Sequence, residues 1–458
     1  MTAPNTTPAV SFACIILAAG KGTRMISDTP KLMHKVAHKP LLQHVIDSCV
    51  AAGSSEVIVV AAPHDQLTQG QAAPHDQLTQ GQAAPHRVAI QQIANGTATA
   101  ALAGVEAIKG KHDKVLILNG DMPLLKPETI LRFAHQEDPL GLMVMELPDG
   151  RRLGRVILNK DNRVVKIVEF KDATPEERDI KIIVSGVYAM PHDKIADILG
   201  QIDNNNAAQE YYLTEYVAIG QKMGLDCGIT IAEWNEVASV NNRTELAEIE
   251  LLLQNRLRQK FMDAGVTLID PNSVFFATDT QISNDVIIEP NVFIGPGVSI
   301  AKNAHIKAFS HIEGATIGEG AEVGPFARLR PGTTLAEKAK AGNFVEIKNA
   351  TIGAGSKISH LTYVGDATIG TKCNIGAGVV TCNYDGFSKF KTTIGDNAFV
   401  GAHSTLIAPV TVGDNAITAA GSVITEDVSA DTLAITRAEQ KNIEQGAVRY
   451  RDKRRKAS

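Results

Sequence analysis

In the second half of the sequence, Ile, Val or Leu recurs at every sixth position within successive runs, with Ala341 and Thr418 as the two exceptions, and this period limits the fold more than any other feature. The phase restarts between one run and the next. The hexads begin at Ile282, Ile288, Ile294, Ile300, Ile306 and Ile312, then at Ile317, Val323, Leu329, Leu335, Ala341 and Ile347, then at Ile352, Ile358 and Val364, then at Ile369 and Ile375, and finally at Ile394, Val400, Leu406, Val412, Thr418 and Ile424. Such a period indicates a parallel β-helix, because three hexads close one triangular coil whose first residues stack inward. Ankyrin-type and leucine-rich repeats have other periods and are excluded.

The first half of the sequence has a different organisation, in which short apolar runs alternate with helical patterns. We expect buried strands at 12–17, 57–60, 115–118 and 142–145. Between the first two strands, an apolar stripe from Leu42 to Val50 predicts a helix that Gly53 ends. Strand–helix–strand alternation favours an α/β fold with a mostly parallel, doubly wound sheet, which binds ligands beyond the carboxyl ends of its strands.

One helix is predicted between the two halves, over residues 244–263. Its apolar stripe consists of Leu246, Ile249, Leu253, Leu257 and Phe261. Asn242 and Glu245 are expected to cap its start, and Gly265 to end it. The predicted division is therefore a first domain over 1–243, a linker helix over 244–264 and a second domain over 265–458.

Composition narrows the class of partner. The net charge of −5 offers no general basic field for nucleic acid or an anionic membrane, and 5% aromatic residues disfavour a stacking platform. No run of about 18 apolar residues is present, and no signal peptide is expected. Five cysteines without a C-x-x-C pair are typical of reduced thiols, so we expect a cytoplasmic protein. The basic stretch 449–456 is interpreted as a solvated terminus, with a phosphate-binding tail as the alternative.

A segment in the first half is duplicated. Residues 61–71 and 72–82 are identical copies of AAPHDQLTQGQ, and a third copy begins at Ala83. Their histidines, His64, His75 and His86, suggest a metal stripe, but each copy contains proline and no cluster of carboxylates or cysteines joins them. We interpret the segment as a tolerated loop duplication, and expect deletion of one copy to leave activity intact.

Two features of the first half indicate a phosphate ligand. The first strand runs into Leu-Ala-Ala-Gly-Lys-Gly-Thr-Arg-Met at 17–25, a glycine loop that matches neither a P-loop nor G-x-G-x-x-G. Its backbone N–H groups can approach phosphates, while Lys21, Arg24 and Lys31 add positive charge. Asp121 follows the buried strand at 115–118, and a carboxylate beside phosphates usually holds Mg²⁺.

These motifs closely resemble those of the sugar nucleotidyltransferases. With the β-helix behind them, residues 11–437 resemble the bacterial bifunctional N-acetylglucosamine-1-phosphate uridyltransferase/glucosamine-1-phosphate acetyltransferases, apart from the duplicated segment. The resemblance implies a Rossmann-like nucleotidyltransferase domain, a linker helix and a β-helix of left-handed chirality, a handedness that spacing alone does not prove. It also implies the following contacts with UTP or the uridylylated sugar: Leu17, Ala18, Ala19, Gly20, Arg24, Lys31, Gln91, Gly96, Thr97, Asn119, Gly120, Asp121, Gly154, Glu169 and Asn241. Among these, Asp121 and Asn241 would bind Mg²⁺.

In the β-helix, polar residues interrupt the hexads, and a catalytic site is most expected there. The histidine within one hexad, His360, corresponds in the family to the general base that takes a proton from the sugar amine. The resemblance assigns glucosamine 1-phosphate binding to Arg330, Lys348, Tyr363 and Asn374. It assigns acetyl-CoA binding to Ala377, Asn383, Tyr384, Ala402, Ala420 and Arg437, with a backbone N–H at Ala377 as a candidate oxyanion donor.

Three positions depart from the family pattern. Thr99 stands where the family has histidine, and Val184 stands where it has the asparagine that contacts the sugar. Either Ser185 compensates for Val184 or sugar affinity is weakened. Ala402 replaces a serine, with Ser404 two residues later. Cys382 allows a covalent acetyl-enzyme, but direct transfer is favoured.

The resemblance implies two successive reactions. Acetyl-CoA would acetylate glucosamine 1-phosphate, and UTP would then convert the product to UDP-N-acetylglucosamine, which in the family is a precursor of peptidoglycan and lipopolysaccharide. A homotrimer is expected, because the solenoid has exposed loops and unfilled faces. One alternative is a single-activity sugar-1-phosphate nucleotidylyltransferase whose β-helix serves only oligomerisation. Another is a sugar-phosphate-binding regulator that has lost catalysis.

Overall fold

The computed structural model describes residues 10–20, 22–63, 86–147, 153–206 and 209–456. The chain forms two compact units, Met1–Gln254 and Asn255–Ser458. Most of the duplicated segment, including His64 and His75, lies outside the described residues, as does Lys21. Within the described ranges, no helix has both the length and the apolar character needed to cross a bilayer.

Within its described residues, the first unit is built on a nine-stranded sheet and a separate two-stranded ribbon. Its strands are β1 Phe12–Leu17, β2 Lys35–Val36, β3 Lys39–Pro40, β4 Glu56–Ala61, β5 Arg87–Ile90, β6 Lys114–Asn119, β7 Leu140–Glu146, β8 Arg155–Leu158, β9 Val164–Val168, β10 Ile182–Pro191 and β11 Cys227–Ile231. Its described helices are α1 Leu41–Ala51, α2 Thr97–Glu106, α3 Pro127–Ala134, α4 Pro175–Arg178, α5 His192–Gly200, α6 Tyr216–Lys222 and α7 Trp234–Val237. Short 3₁₀ turns cover Thr23–Met25, Lys31–Met33 and Leu213–Glu215.

The strand order of the main sheet is β11-β7-β10-β6-β1-β4-β5. All four strands predicted from apolar runs are present, and β4, β6 and β7 are longer than predicted. Strand β1 pairs in parallel with both β4 and β6, as a doubly wound sheet requires. Strand β10 is antiparallel to both β6 and β7, and β8 and β9 form an antiparallel extension. The sheet is thus mostly parallel with one reversed central strand, which apolar runs cannot reveal because they carry no direction.

Two apolar layers cover the sheet, and β1 contributes to both. Cys14 and Ile16 pack on the side that also holds Val45 of α1. Ile15 points to the other side, which holds Ala101 of α2. Alternate residues of a strand face opposite sides, so a strand buried on both sides reads as a continuous apolar run.

The helix between the halves, α8, covers Arg243–Asp263 and contains the boundary between the two compact units. Asn242 Oδ1 accepts a hydrogen bond from the backbone N–H of Glu245 at 2.9 Å, and Asn242 Nδ2 donates to Glu245 Oε1 at 2.9 Å. After the helix, Gly265 adopts a φ of +90°. Both expected end signals are therefore confirmed.

The second unit is a three-faced parallel β-helix. The first face consists of Thr267–Leu268, Ile287–Ile288, His305–Ile306, Glu322–Val323, Lys340–Asn343, Lys357–His360, Asn374–Ile375, Phe399–Val400, Ile417–Thr418 and Leu433–Ala434. The second and third faces form one 15-stranded sheet, in which Glu346–Ile352 and Tyr363–Ile369 span both faces. The second face also contains Phe275–Phe276, Phe293–Ile294, His311–Ile312, Arg328–Leu329, Val380–Cys382, Thr405–Ile407 and Val423–Ile424, and the third contains Gln281–Ile282, Ser299–Ile300, Ala315–Ile317, Thr333–Leu335, Thr392–Ile394 and Val410–Val412.

The hexad residues stack as the period predicts. On the first face, Ile288 pairs with Ile306, Ile306 with Val323, and Val323 with Ala341. Every predicted hexad residue is buried except Ile282, which is half-buried at the start of the solenoid. After the last coil, the basic tail forms a largely exposed helix, α9, over Gly446–Arg455, which the sequence pattern did not predict. It carries no apolar stripe, so hydrophobic periodicity gives no signal for it.

Candidate active sites

A cavity of about 520 Å³ opens at the carboxyl ends of β1 and β6. Ten residues predicted from the sequence line it: Leu17, Ala18, Ala19, Gly20, Lys31, Gln91, Gly96, Thr97, Asn119 and Asp121. The predicted crevice of the doubly wound sheet is therefore present, and residues far apart in the sequence meet there. Glu210 also lines the cavity. Sequence reasoning missed it, since it lies in an irregular segment without a motif.

Gln91 is held in one orientation inside this cavity. Its side-chain Nε2 donates to the backbone oxygen of Gly96 and to Thr99 Oγ1, each at 2.9 Å, and the residue is buried. Thr99 Oγ1 also donates to Asn95 Oδ1 at 2.7 Å. Because both amide hydrogens of Gln91 have partners, its Oε1 is the group left to accept from a ligand. Thr99, the first departure from the family pattern, thus has a structural role in orienting Gln91.

Gly96 is required where the chain turns into α2. Its φ is +148°, and a Cβ there would lie 2.4 Å from the backbone oxygen of Tyr211. The neighbouring backbone is fixed by Tyr211, whose oxygen accepts from Ala98 N at 3.0 Å. Only glycine allows this close approach of the two segments.

Next to Lys31 and Asp121 of this cavity, cationic side chains and oxygen acceptors alternate. Lys31 Nζ lies 2.5 Å from Asp121 Oδ2 and donates to Asn241 Oδ1 at 3.3 Å. Arg24 Nη2 donates to the same Asn241 oxygen at 3.0 Å. The predicted pair Asp121 and Asn241 is therefore brought together through Lys31, although the two residues are 120 positions apart in the sequence.

The donor set fits a hard divalent cation. Asp121 Oδ1 is buried without a hydrogen-bond partner, and Asn241 Oδ1, which accepts from Lys31 and Arg24, is a second oxygen nearby. Among the described residues, no group of three or more His, Cys, Asp or Glu could hold a metal. Two protein oxygens match Mg²⁺, which is usually bound by one or two carboxylates together with waters and substrate phosphates.

Three residues meet at the predicted sugar pocket. A Cβ on Gly154 would lie 3.6 Å from Val184 Cγ2 and 3.7 Å from both carboxylate oxygens of Glu169. Burial raises the pKa of Glu169, and the Asp172 carboxylate raises it further. Gly154 and Glu169, which lie on different strand connections, are thus neighbours as predicted.

Ser185, the neighbour of Val184, has its proton committed to the sheet. Ser185 is buried, and its hydroxyl donates to the backbone oxygen of Met143 at 2.7 Å. A hydroxyl bound in this way has no proton left to donate to a sugar and can only accept a hydrogen bond from it. Ser185 therefore cannot supply the donor of the asparagine amide that the family has at Val184.

In the β-helix, His360 is exposed at the end of a first-face strand, and its Nδ1 lies 2.5 Å from Asn343 Oδ1. An amide oxygen can only accept a hydrogen bond, so Nδ1 carries the proton. The lone pair of the neutral ring then lies on Nε2, the nitrogen that can take a proton. No role was predicted for Asn343 from the sequence, because its contact with His360 arises only between successive coils.

Five residues form a corner column on successive coils, each two positions after a first-face hexad residue. Strand pairing aligns Asn343 with His360 directly, and the hexad residues align the next coils in the same way. The column consists of Asn343, His360, Ala377, Ala402 and Ala420. Arg437 joins its end, because Arg437 Nη1 donates to the backbone oxygen of Ala420 at 2.7 Å. Four of the six predicted acetyl-CoA residues therefore lie in line with His360.

Ser404 does not replace the serine that is missing at Ala402. Its side chain is completely buried, and its hydroxyl donates to the backbone oxygen of Gly401 at 2.7 Å. It points into the solenoid, whereas a ligand contact requires an outward position. Ser404 therefore offers no hydroxyl on the outer surface beside Ala402.

A cationic cluster lies beside the second face. Arg330 and Lys348 follow paired residues on adjacent coils, and Arg330 Nη1 lies 2.9 Å from Glu346 Oε1. The positive charges of Lys389 and then Arg330 lower the pKa of Lys348. Lys389 completes the cluster and was not predicted. Its signal was only its place in the segment that interrupts the hexads before Ile394.

The remaining predicted residues are distributed over two faces. Tyr363 is on the second face, paired with Val380, while Asn374 is on the first face, paired with Lys357. Asn383 is buried and donates from Nδ2 to the Asp366 carboxylate. Tyr384 is exposed, and its hydroxyl donates to the backbone oxygen of Gly386 at 2.6 Å.

Comparisons with known proteins agree with both architectures. Residues 14–193 match the family model of the MobA-like NTP transferase domain. Residues 279–314 and 391–426 match that of the bacterial transferase hexapeptide (six repeats). Together with the three-faced parallel coil, the hexapeptide match identifies the second unit as a left-handed β-helix.

Curated relatives cover both units at once. The chain is 45% identical over 450 residues to the "Bifunctional protein GlmU" of Zymomonas mobilis subsp. mobilis, which covers 97% of this chain and 98% of the relative. The protein of the same name from Azorhizobium caulinodans is 45% identical over 403 residues, covering 87% and 88% of the two chains. That of Maricaulis maris is 46% identical over 403 residues, covering 87% of each. The chain therefore belongs to the GlmU family of bifunctional proteins.

Proposed function

We propose that this chain catalyses two successive transfers. The β-helix transfers an acetyl group from acetyl-CoA to the amine of glucosamine 1-phosphate. The first unit then transfers UMP from UTP to N-acetylglucosamine 1-phosphate, which gives UDP-N-acetylglucosamine and pyrophosphate. The observation that carries the proposal is that each half of one chain gathers its own constellation, Lys31–Asp121–Asn241 in the first and Asn343–His360 in the second.

The uridylyl transfer needs alignment and charge neutralisation more than it needs a protein base. The phosphate oxygen of the sugar phosphate already carries charge, so it can attack the α-phosphate of UTP directly. Lys31 and Arg24 would hold the triphosphate and the departing pyrophosphate. Gln91 would read the uracil through Oε1, Asn119 and Gly120 would line the site, and Gly154 and Glu169 would receive the sugar.

Asp121 and Asn241 are the residues that would hold Mg²⁺. When bound, the cation would neutralise charge on the triphosphate that the lysine and arginine alone leave uncompensated. Lys31 occupies one Asp121 oxygen, while the other has no hydrogen-bond partner, so the carboxylate can serve both cations.

The acetyl transfer has a general base and a set of binding groups. His360 Nε2 would take one proton from the sugar amine as the amine nitrogen attacks the thioester carbonyl. The C–S bond would then break, and the same proton would pass from His360 to the sulfur, so that coenzyme A leaves as the thiol. Asn343 would hold the ring in the tautomer that leaves Nε2 free. Arg330 and Lys348 would bind the sugar phosphate, with Tyr363 and Asn374 at the sugar. Acetyl-CoA would lie along Ala377, Asn383, Tyr384, Ala402, Ala420 and Arg437, with a backbone N–H at Ala377 as the oxyanion donor.

We also propose a homotrimer that works in the cytoplasm. An exposed aromatic ladder supports self-association. The rings of Phe309, Phe326 and Phe344 stack on successive coils with centroid distances of 4.8 and 5.2 Å, and each residue is about half exposed. Leu361 continues this ridge directly after His360 and is also exposed. Contiguous exposed apolar surface of this kind usually marks an interface. For function, we divide the chain into a uridylyltransferase domain over 1–243, a linker over 244–264 and an acetyltransferase domain over 265–458.

One coupled assay tests the proposal. The full chain is incubated with glucosamine 1-phosphate, acetyl-CoA, UTP and Mg²⁺, and the products are identified by mass. We expect UDP-N-acetylglucosamine from the wild type, N-acetylglucosamine 1-phosphate from Asp121→Ala, and unreacted glucosamine 1-phosphate from His360→Ala. His360→Ala should still use supplied N-acetylglucosamine 1-phosphate. If the wild type uridylylates that compound but never acetylates the amine, the chain is a single-activity nucleotidylyltransferase and the bifunctional proposal fails.

A further inference from the structure

Asp366 lies at the corner between the second and third faces and joins three coils. Its Oδ1 accepts from Asn349 Nδ2 at 2.6 Å, and its Oδ2 accepts from Asn383 Nδ2. Asn349 lies on the preceding coil, and Asn383 lies on the following one. Both oxygens of one carboxylate are thus used to orient two side-chain amides.

The amide of Asn383 is the more consequential of the two. Asn383 is buried, and its backbone oxygen accepts from Phe390 N at 2.8 Å, which closes the segment between them. That segment carries Tyr384 and Lys389, so the position of Asn383 sets the base of a loop whose side chains belong to the proposed site. Because Asn383 Nδ2 donates to Asp366, the Oδ1 of Asn383 points away from that carboxylate.

Gly365 supplies the space in which this amide meets a second polar group. A Cβ on Gly365 would lie 2.4 Å from the Tyr363 hydroxyl oxygen and 2.9 Å from Asn383 Nδ2. The Gly365 backbone is fixed by Thr381, whose Oγ1 accepts from Gly365 N at 2.8 Å. The hydroxyl of Tyr363 and the amide of Asn383 therefore both pack against Gly365, next to Asp366, where a side chain would displace them.

The surroundings of Asp366 favour its charged form. Burial raises its pKa, but the hydrogen bonds from Asn349 and Asn383 and the charges of Lys389 and Lys348 outweigh burial and hold that pKa below its usual range. A charged carboxylate makes stronger hydrogen bonds than a neutral group. It also places a negative charge near the cationic cluster of Arg330, Lys348 and Lys389.

We propose that Asp366 is a positioning residue for acetyl transfer, which acts by fixing the amide of Asn383 beside the hydroxyl of Tyr363. This inference rests on the proposed acetyltransferase function. Asp366 would not touch the reacting atoms, and its removal would disturb the alignment of the sugar and acetyl-CoA more than their binding. Phosphate binding would remain with Arg330 and Lys348, which Asp366 does not hold in place by a hydrogen bond.

The test compares two matched variants of the full chain. Asp366→Asn keeps the size of the side chain but replaces one of its two acceptor oxygens by an NH₂ group. When the remaining oxygen faces Asn349, the NH₂ group faces Asn383 Nδ2, which is also a donor. Asp431→Asn is the control, because Asn415 Nδ2 donates to Asp431 Oδ1 at 2.9 Å in a corner contact of the same kind. Both aspartates have positive φ, 46° and 60°, which asparagine also tolerates. Acetyl transfer, uridylyl transfer and the thermal unfolding midpoint are measured for each.

For Asp366→Asn, we expect kcat of acetyl transfer to fall about tenfold or more, because the variant loses a hydrogen bond to a charged group. KM for glucosamine 1-phosphate should not rise, and uridylyl transfer and the unfolding midpoint should match those of Asp431→Asn. Asp366→Asn combined with Asn383→Asp should recover part of kcat, because the new amide can donate to the new carboxylate.

Two results would overturn the inference while the proposed function stands. One is a kcat for Asp366→Asn equal to that of Asp431→Asn. The other is a defect of Asp366→Asn in acetyl transfer that consists only of a higher KM, or that is accompanied by a lower unfolding midpoint. A wild-type chain that acetylates no sugar would instead reject the proposed function itself.

Discussion

The imidazole Nδ1 of His360 lies 2.5 Å from the amide oxygen of Asn343, one coil earlier on the same face of the β-helix. Because the acceptor is an amide oxygen, this contact fixes the proton on Nδ1 and leaves Nε2 as the basic nitrogen. The two residues are 17 positions apart, about one coil of the solenoid, so the repeat itself brings them together.

Asn343→Ala should lower acetyl transfer without affecting uridylyl transfer. Loss of the amide removes the hydrogen bond that selects the ring tautomer, and a hydrogen bond of 0.5–1.5 kcal/mol corresponds to a loss of about 2- to 12-fold. The measurement is kcat for acetylation of glucosamine 1-phosphate. The uridylyl rate of the same preparation serves as the control. An unchanged acetylation rate would mean that Asn343 does not orient His360.

Lys31→Met should strongly impair uridylyl transfer. It removes the charge that pairs with Asp121 and that would face the triphosphate, and a charged hydrogen bond of 1.5–3 kcal/mol corresponds to about 10- to 150-fold in kcat/KM. Lys39→Met is the matched control, because Lys39 pairs with Asp47 at 2.7 Å in a more exposed ion pair. Equal effects of the two substitutions on UTP kinetics would contradict the assignment of Lys31.

Val184→Asn should improve the sugar pocket. Val184 lies beside Gly154, and Ser185 is bound to Met143, so the pocket lacks the amide that the family has there. One neutral hydrogen bond predicts a decrease of about 2- to 12-fold in KM for N-acetylglucosamine 1-phosphate. Val165→Asn, at an exposed position, should leave KM unchanged. A higher KM for Val184→Asn would show that the valine belongs to a different mode of sugar binding.

Glu169→Gln should stabilise the first unit near neutral pH while lowering uridylyl transfer. Burial, reinforced by Asp172, raises the pKa of Glu169 above its unfolded value, so the folded state disfavours the ionised form. The wild type therefore loses stability as pH rises from the unfolded pKa of about 4.3 through the higher folded pKa. The difference in unfolding midpoint between Glu169→Gln and the wild type should vanish as pH falls below about 4.3. Unfolding midpoints at pH 4 and pH 7 measure this, with the exposed Glu439→Gln as control. A variant less stable than the wild type at pH 7 would refute the prediction.

Cys382→Ala should retain acetyl transfer within about twofold, as direct transfer from acetyl-CoA to the amine requires. Cys382 is the half-buried thiol, and the other four cysteines are buried. Burial also raises the pKa of Cys227 to about 12, which disfavours its reactive thiolate. Titration of the native protein with a thiol reagent should therefore detect one fast-reacting group, which this substitution removes. Loss of acetyl transfer would favour a covalent acetyl-enzyme.

The sequence alone determined the β-helix, the four predicted strands of the sheet, and the capped helix α8 that lies between the two halves of the chain. These features depend on local period and on cap residues within a few positions of each other, so they can be read along the chain. Ten residues of the first cavity were also named from the sequence. The glycine loop, Lys31 and Asp121 followed from their places after buried strands, and Gln91, Gly96, Thr97 and Asn119 followed from the family resemblance.

The direction of β10 and the hydrogen-bond partners of Ser185 and Ser404 were decided only by tertiary structure. Strand direction depends on pairing, and a hydroxyl's role depends on which carbonyl lies next to it, neither of which has a local signature. The contacts of Asn343, Lys389 and Asp366 also arise between coils. For His360, the sequence supplied the residue and the role that the resemblance implies, while the fold supplied Asn343 and with it the ring nitrogen that we propose as the base.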